Sequence, residues 1–151
     1  MTERVYLDTS VYNRPFDEQK QARIWLETLA FSVILQLLET QELELITSSV
    51  LAYETSRNPH RQRREWVNRI AQMASSHQMV NEAIRERANS LASSNIKPLD
   101  ALHIACAETA AADYFVTCDD RLVRRYSSAA STKMTICNPP DFVRMVTGEK
   151  P

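Results

Sequence analysis

Short apolar runs alternate with longer stretches in which apolar residues return every three or four positions, from one end of the chain to the other. Residues 4–7, 43–47, 114–117 and 134–137 are brief and rich in Val, Ile, Leu, Phe and Tyr, which predicts four strands. Residues 78–80 predict a further short one. Between the first two strands, Ile24, Leu26, Leu29, Ala30, Val33, Ile34, Leu37 and Leu38 recur at helical spacing. A long helix starting at Asp17 or Glu18 should therefore bury one broad face. Before it, Asn13-Arg14-Pro15 supplies turn chemistry and predicts a loop over 11–16.

Further helices follow the same logic. Ser48-Ser49 can cap a helix from about Val50, and Asn58-Pro59 breaks the chain after it. Residues 61–75 gather Trp66, Val67, Ile70, Ala71 and Met73 on or near one side. Asn81 caps a helix through Ala92, Pro98 opens another over 99–112, and Pro139-Pro140 leads into a last one over 141–146. Strands alternating with helices predict an α/β fold, a three-layer α/β/α sandwich around a mostly parallel sheet of four to five strands. No repeat or linker divides the chain, so 1–147 should form one domain, with a frayed tail over 148–151.

Composition narrows the chemistry. The 151 residues are enough to bury a core without staples, and the net charge of −1 excludes a globally basic nucleic-acid binder while leaving room for a local basic strip. Cys106, Cys118 and Cys137 are too far apart for a zinc knuckle and odd in number, so buried, reduced thiols are expected. No basic-then-apolar leader opens the chain, and the apolar-rich segment 24–38 is interrupted by Glu27, Thr28, Ser32 and Gln36. A cytoplasmic protein without membrane contact is the expectation. Gly148 is the single glycine, so a phosphate-cradling glycine loop, and with it a nucleotide cofactor, is excluded.

The chemistry lies in acids at element junctions. Asp8 closes the first apolar strand, Glu54 lies about a turn into the helix after the second, Asp100 stands in a helix first turn, and Asp119 follows the strand at 114–117. In an open parallel sheet ligands gather beyond the carboxyl ends of the strands, and helices that follow strands begin at that edge. Asp8, Glu54 and Asp119 reach it by topology, whereas Asp100 is placed less firmly. Any one of Asp100 and Asp119 could simply cap a helix. Asp8 ends an apolar strand where no cap is expected. Several carboxylates packed together repel and call for a cation, and an all-oxygen set suits Mg²⁺ or Mn²⁺.

The motifs Leu7-Asp8-Thr9-Ser10, Leu51-x-x-Glu54, Pro98-Leu99-Asp100-Ala101-Leu102-His103-Ile104-Ala105 and Val116-Thr117-x-Asp119 resemble the four acidic motifs of PIN-domain nucleases. The nearest size class is the toxins of VapC-type toxin–antitoxin pairs, and the likeness extends to Asn138-Pro139. The resemblance implies a divalent-metal-dependent endoribonuclease in which Asp8, Glu54, Asp100 and Asp119 ligate Mg²⁺ or Mn²⁺ and position water, with Ser10 and Thr117 as supporting hydroxyls. It also implies an RNA substrate, a homodimer and a cognate antitoxin. Asp119-Asp120 doubles the fourth acid, and Thr-x-Asp spacing favours Asp119 with Asp120 as runner-up.

Asp17, in an extension that resembles one PIN subgroup, reads as a loop-surface acid, and His103 as a structural residue on the face of Asp100. Arg14, Arg61 and Arg64 are candidate RNA contacts, the last two within a basic stretch over 57–69 that could equally be a solvated face or a protein contact. Two other outcomes remain open within the family, an RNA-processing nuclease and a catalytically silent binding module. An aspartate phosphotransferase is disfavoured, because Ser10 stands where a haloacid-dehalogenase-like enzyme needs its second Asp and only Glu3 precedes the strand where a receiver domain needs an acidic pair.

Overall fold

The computed structural model describes residues 2–129 and 133–148; the tail expected to fray lies, beyond Gly148, outside the described residues. Five strands form one sheet in the order β3-β2-β1-β4-β5: β1 (Glu3–Leu7), β2 (Leu43–Ser48), β3 (Ser76–Gln78), β4 (Tyr114–Val116) and β5 (Thr135–Cys137). Every pairing is parallel, with Val5 opposite Leu45 on one side and Tyr114 on the other. Val5, Tyr6 and Leu7 are wholly buried, which is why the central strand is apolar throughout rather than alternating.

The helices among the described residues are α1 (Thr9–Asn13), α2 (Ala22–Glu39), α3 (Ser49–Ser56), α4 (Arg61–Ala71), α5 (Glu82–Ala92), α6 (Pro98–Thr109), α7 (Asp120–Ala129) and α8 (Pro139–Thr147). The two-residue period of the strands sorts the core into two halves. Tyr6, Ile46 and Phe115 face a cluster built with Ile84, Leu91, Ile104 and Tyr126 of α5, α6 and α7. Val5, Leu7, Leu45 and Val116 face the opposite one, built with Tyr12, Phe31, Ile34, Ile70 and Phe142 of α1, α2, α4 and α8. The predicted three-layer α/β/α sandwich is the observed one.

The chain leaves β1 for β2 and β3 on one side and returns to β4 and β5 on the other. The order therefore reverses between β1 and β4, and a crevice opens at the carboxyl edge there. The amide of Asp8 donates to Val116 O at 2.9 Å and that of Thr117 to Cys137 O at 2.9 Å, so the sheet continues past the strands into that edge. Asp100 reaches the same edge by a route that strand-following rules miss. α6 runs back toward the start of β4, where Arg4 donates to Ala110 O at 3.0 Å, so the opposite end of α6 lies at the carboxyl edge.

Three expectations are corrected. Residues 11–16 are helical rather than a loop: α1 begins directly after β1, and Arg14–Phe16 continues it as a 3-10 turn with Pro15 inside. Val11 and Tyr12 are buried, Tyr12 edge-on to Phe31 at 6.0 Å, so the turn is carried by packing that its sequence does not announce. The long helix starts at Ala22, not at Asp17 or Glu18, because 17–21 are tied into a turn by Gln19 Nε2 donating to the carbonyls of Arg14 and Asp17. Its buried face is also rotated. Glu27, Ala30, Phe31, Ile34 and Leu38 are buried, while Leu26 and Leu29 are about half exposed at 48% and 45%. Glu27 takes the inward position in their place, where Arg14 meets it at 2.7 Å. The three cysteines are free and buried, as expected.

Candidate active site

Asp8 is buried at the end of β1 and its carboxylate is fully engaged. Its Oδ1 accepts from the Thr9 amide at 2.9 Å, and Oδ2 accepts from Ser10 Oγ at 2.9 Å and Thr117 Oγ1 at 2.8 Å. An acid closing an apolar strand thus does have a cap to make, since Asp8 is the N-cap of α1. The two hydroxyls also reach across to β4, where Ser10 Oγ accepts from the Cys118 amide and Thr117 Oγ1 from the Asp119 amide, both at 3.1 Å. One set of hydrogen bonds therefore locks Asp8 to the loop that carries Asp119.

Asp119 caps α7, its Oδ1 accepting from the amides of Arg121 at 2.9 Å and Leu122 at 3.3 Å, which leaves Oδ2 without a partner among the described residues. Glu54, on α3, is held by Thr9 Oγ1 and by His103 Nε2 at 2.8 Å, both on Oε1. His103 is buried beneath it and its Nδ1 lies 2.6 Å from Tyr6 Oη, which lies 2.6 Å from Ser48 Oγ. Ser48 Oγ accepts from the Leu51 amide and so caps the helix that carries Glu54. Donors and acceptors balance if Ser48 donates to Tyr6, Tyr6 to His103 Nδ1, and His103 Nε2–H to Glu54.

The electrostatics record how close the acids are. Burial, then the charges of Asp8, Asp119 and Glu54, push the Asp100 carboxyl up to about 6, against the pull of His103. Burial would raise Glu54 too, but the hydrogen bonds from His103 and Thr9 outweigh it and hold its carboxyl below the usual value. Burial disfavours a charged His103, yet Glu54, Asp8 and Asp100 together raise its pKa. Asp100 accepts no hydrogen bond from any described residue, so its charge is opposed by burial and by like charges with no donor to offset them.

This donor set fits a hard divalent cation in chemistry: four carboxylates, all oxygen, one of them pushed toward neutrality by its neighbours. No three His, Cys, Asp or Glu side chains among the described residues close around a common point. Asp8 and Glu54 are instead turned toward their own hydroxyl and imidazole donors.

A sequence model of the PIN domain matches residues 5–127, which takes in all four acids. The chain belongs to the PIN domain family. This PIN domain is similar in fold to the crystal structure of FitAcB from Neisseria gonorrhoeae, at 16% identity and a TM-score of 0.56, covering 89% of this chain and 97% of that one. It is similar also to VapBC2 from Rickettsia felis bound to a DNA fragment from their promoter, at 14% identity and a TM-score of 0.57, with 89% and 98% covered. No curated protein matches the sequence.

The remaining candidates of the PIN domain are engaged by partners of their own. Asp120 is bound by Arg23, whose Nη2 donates to Oδ1 at 2.7 Å, and that guanidinium holds its carboxyl below the usual range. Arg14 is taken up by Glu27 and Asp17, the latter at 3.1 Å and so part of the Arg14 anchor. On α4, Arg61 pairs with Glu65 at 2.8 Å, Arg64 donates to Asn58 O at 2.7 Å, and Arg63 lies over the Phe16 ring. Sequence reasoning missed His103 as the support of Glu54. Its spacing from Asp100 was visible, but the partners that give it a role lie 49 and 97 residues away.

Proposed function

We propose that this PIN domain is a divalent-cation-dependent endoribonuclease that hydrolyses RNA phosphodiester bonds as the toxin of a toxin–antitoxin pair. The observation that supports the reading is that Asp8, Glu54, Asp100 and Asp119 lie close enough at one edge of the sheet to act on one another, the Asp100 carboxyl being pushed up to about 6 by burial first and then by the charges of the other three. These four would hold Mg²⁺ or Mn²⁺, which when bound lowers the pKa of water and offsets charge on the phosphate. The chain's own part is positioning. Ser10 and Thr117 orient the Asp8 carboxylate through their O–H groups, and His103 and Thr9 donate to Glu54 and hold its carboxyl below the usual value. Asp100 keeps its proton below about pH 6 and gives it up above, so cutting should rise with pH through that region.

The toxin role is supported by the VapC-like motifs together with fold likeness to VapBC2 and FitAcB. A cognate antitoxin and a second copy of this chain complete the assembly we infer. The half-exposed Trp25, Leu26 and Leu29 on α2 offer an apolar face for such a protein contact. No helix among the described residues is long and apolar enough to cross a membrane, in keeping with a cytoplasmic site of action. One observation favours a silent binding module instead, namely that no three donors close around one point.

RNA cleavage by wild type, Asp8→Asn and Asp100→Asn in Mg²⁺, Mn²⁺ or EDTA separates the readings. The nuclease reading expects cutting by wild type in metal only and loss in both folded variants. Full cutting in EDTA, or in both variants, refutes it.

A further inference from the structure

We propose that the cleft between the starts of α6 and α7 is the track on which the backbone of one RNA strand lies as it enters the acid site. The inference rests on the nuclease reading and adds to it where the substrate binds. The cleft has a volume of about 520 Å³, and Asp100, Cys118 and Asp119 are among its lining residues, so it opens onto two of the four acids. The rest of its charged lining is mostly basic, with Lys97 from the approach to α6, Arg23 from α2, and Arg121, Arg124 and Arg125 from α7, alongside Asp120.

The charges differ in how they are used. Arg23 is bound to Asp120, and Arg125 donates to Asn95 O at 3.0 Å. Lys97 and Arg121 are exposed and make no ion pair with any described residue. An acid site repels a polyanion, so a nucleic-acid substrate needs compensating cations beside it, and unpaired Lys and Arg supply them at each backbone phosphate. Buried Ile96 and Leu122 close the floor of the cleft with apolar side chains. The space is that of a site for one small ligand, which suits a nucleotide or two of a single strand and not a duplex. The basic stretch of α4 is the weaker candidate, because Arg61, Arg63 and Arg64 are each engaged within the protein.

The test is binding of a short mixed-sequence oligoribonucleotide to the full chain in EDTA, followed by fluorescence anisotropy over a salt series. A Lys97→Gln/Arg121→Gln variant should bind about tenfold more weakly and reduce the slope of log affinity against log salt by about 1.4, as expected for two phosphate contacts on a single strand. A control variant, Arg61→Gln/Arg69→Gln, should stay within about twofold of wild type, and thermal melts establish that both are folded. Wild-type affinity in the cleft variant, an equal loss in the control, or no binding by wild type overturns the track. Equal affinity for a matched RNA duplex or for polyglutamate overturns the single-stranded assignment. Cleavage plays no part in this measurement, so failure of the nuclease reading would appear separately, as binding in the cleft without metal-dependent cutting.

Discussion

Asp100 and Glu54 are two acids of one cluster that the chain treats in opposite ways. Glu54 is given donors and stays ionised, whereas Asp100 is given none and is pushed up to about 6 from an ordinary value of 3.8. Between those two pH values the folded chain keeps a proton that the unfolded chain has released. The stability this represents is complete below the ordinary value and is lost as pH rises through the folded one. Asp100→Asn should therefore stabilise the metal-free chain at about pH 8 by about 1–2 kcal/mol, a figure already discounted for partial exposure, and have little effect near pH 4. Urea denaturation in EDTA at both pH values checks it, and a variant less stable than wild type at the higher one contradicts the repulsion. A second expectation follows from the hydrogen-bonded chain beneath Glu54. Tyr6→Phe removes the hydroxyl between Ser48 and His103 and leaves a buried Nδ1 unpaired, at a cost of about 1–3 kcal/mol. The ¹⁵N shifts of His103 should show the Nε2–H form losing its dominance, and unchanged shifts would mean that Tyr6 does not set the tautomer.

At the scale of elements, the ion pair between Arg14 and Glu27 decides how α2 lies on the sheet. Glu27 is 1% exposed and Arg14 meets it at 2.7 Å, with Arg23 Nε a further 3.6 Å away. Glu27→Ala removes the buried partner of Arg14 but leaves it Asp17, so it should cost about 1–3 kcal/mol, less than a fully stranded charge, read as a fall in the denaturation midpoint. A cost near zero would mean that apolar packing alone orients α2. This pair also marks where sequence reading stops. The parallel sheet followed from the alternation of strands with helices, and the strands other than β3, which runs 76–78 rather than 78–80, and the caps at Ser48 and Asn81 were legible because each is set by neighbours within a few residues. The face of α2 was not, because counting apolar positions favours Leu26 and Leu29 over a carboxylate whose partner sits 13 residues earlier. The same limit hid α1, whose one strong local signal, Asp8 as its cap, was read as a strand end. The place of Asp8, Glu54 and Asp119 at the carboxyl edge was legible, since each follows a strand or lies in the helix after one, whereas that of Asp100 was not, because α6 starts at that edge without following a strand there. That Arg23 draws off Asp120 and leaves Asp119 beside Asp100 depended on a contact 97 residues long.

Across the whole molecule, the reversal of strand order between β1 and β4 explains why acids so distant in sequence share one edge of the sheet. β1 and β4 are adjacent and parallel, so the residues that follow them, Asp8 and Asp119, must emerge side by side. α3 begins at the same edge and α6 ends at the other, which brings in Glu54 and Asp100. A sheet buried on both faces is stiff, so like charges fixed to it cannot relax apart by much. The repulsion is then a standing cost of the fold that a bound cation would remove. Under the proposed function, Mn²⁺ or Mg²⁺ should stabilise the chain against heat, by about 2.7 kcal/mol at a free concentration a hundred times the dissociation constant. Protons compete with the ion at Asp100, so the stabilisation should shrink as pH falls below about 6. Asp8→Asn removes a charge from the cluster while leaving oxygen on the side chain, and should abolish most of the effect. Calorimetric melts with and without the ion, for both chains and at two pH values, decide the matter. If the ion leaves wild type unmoved at about pH 8, or stabilises Asp8→Asn equally, the four carboxylates do not act as one site, and the sheet's geometry has brought them together without a metal to hold.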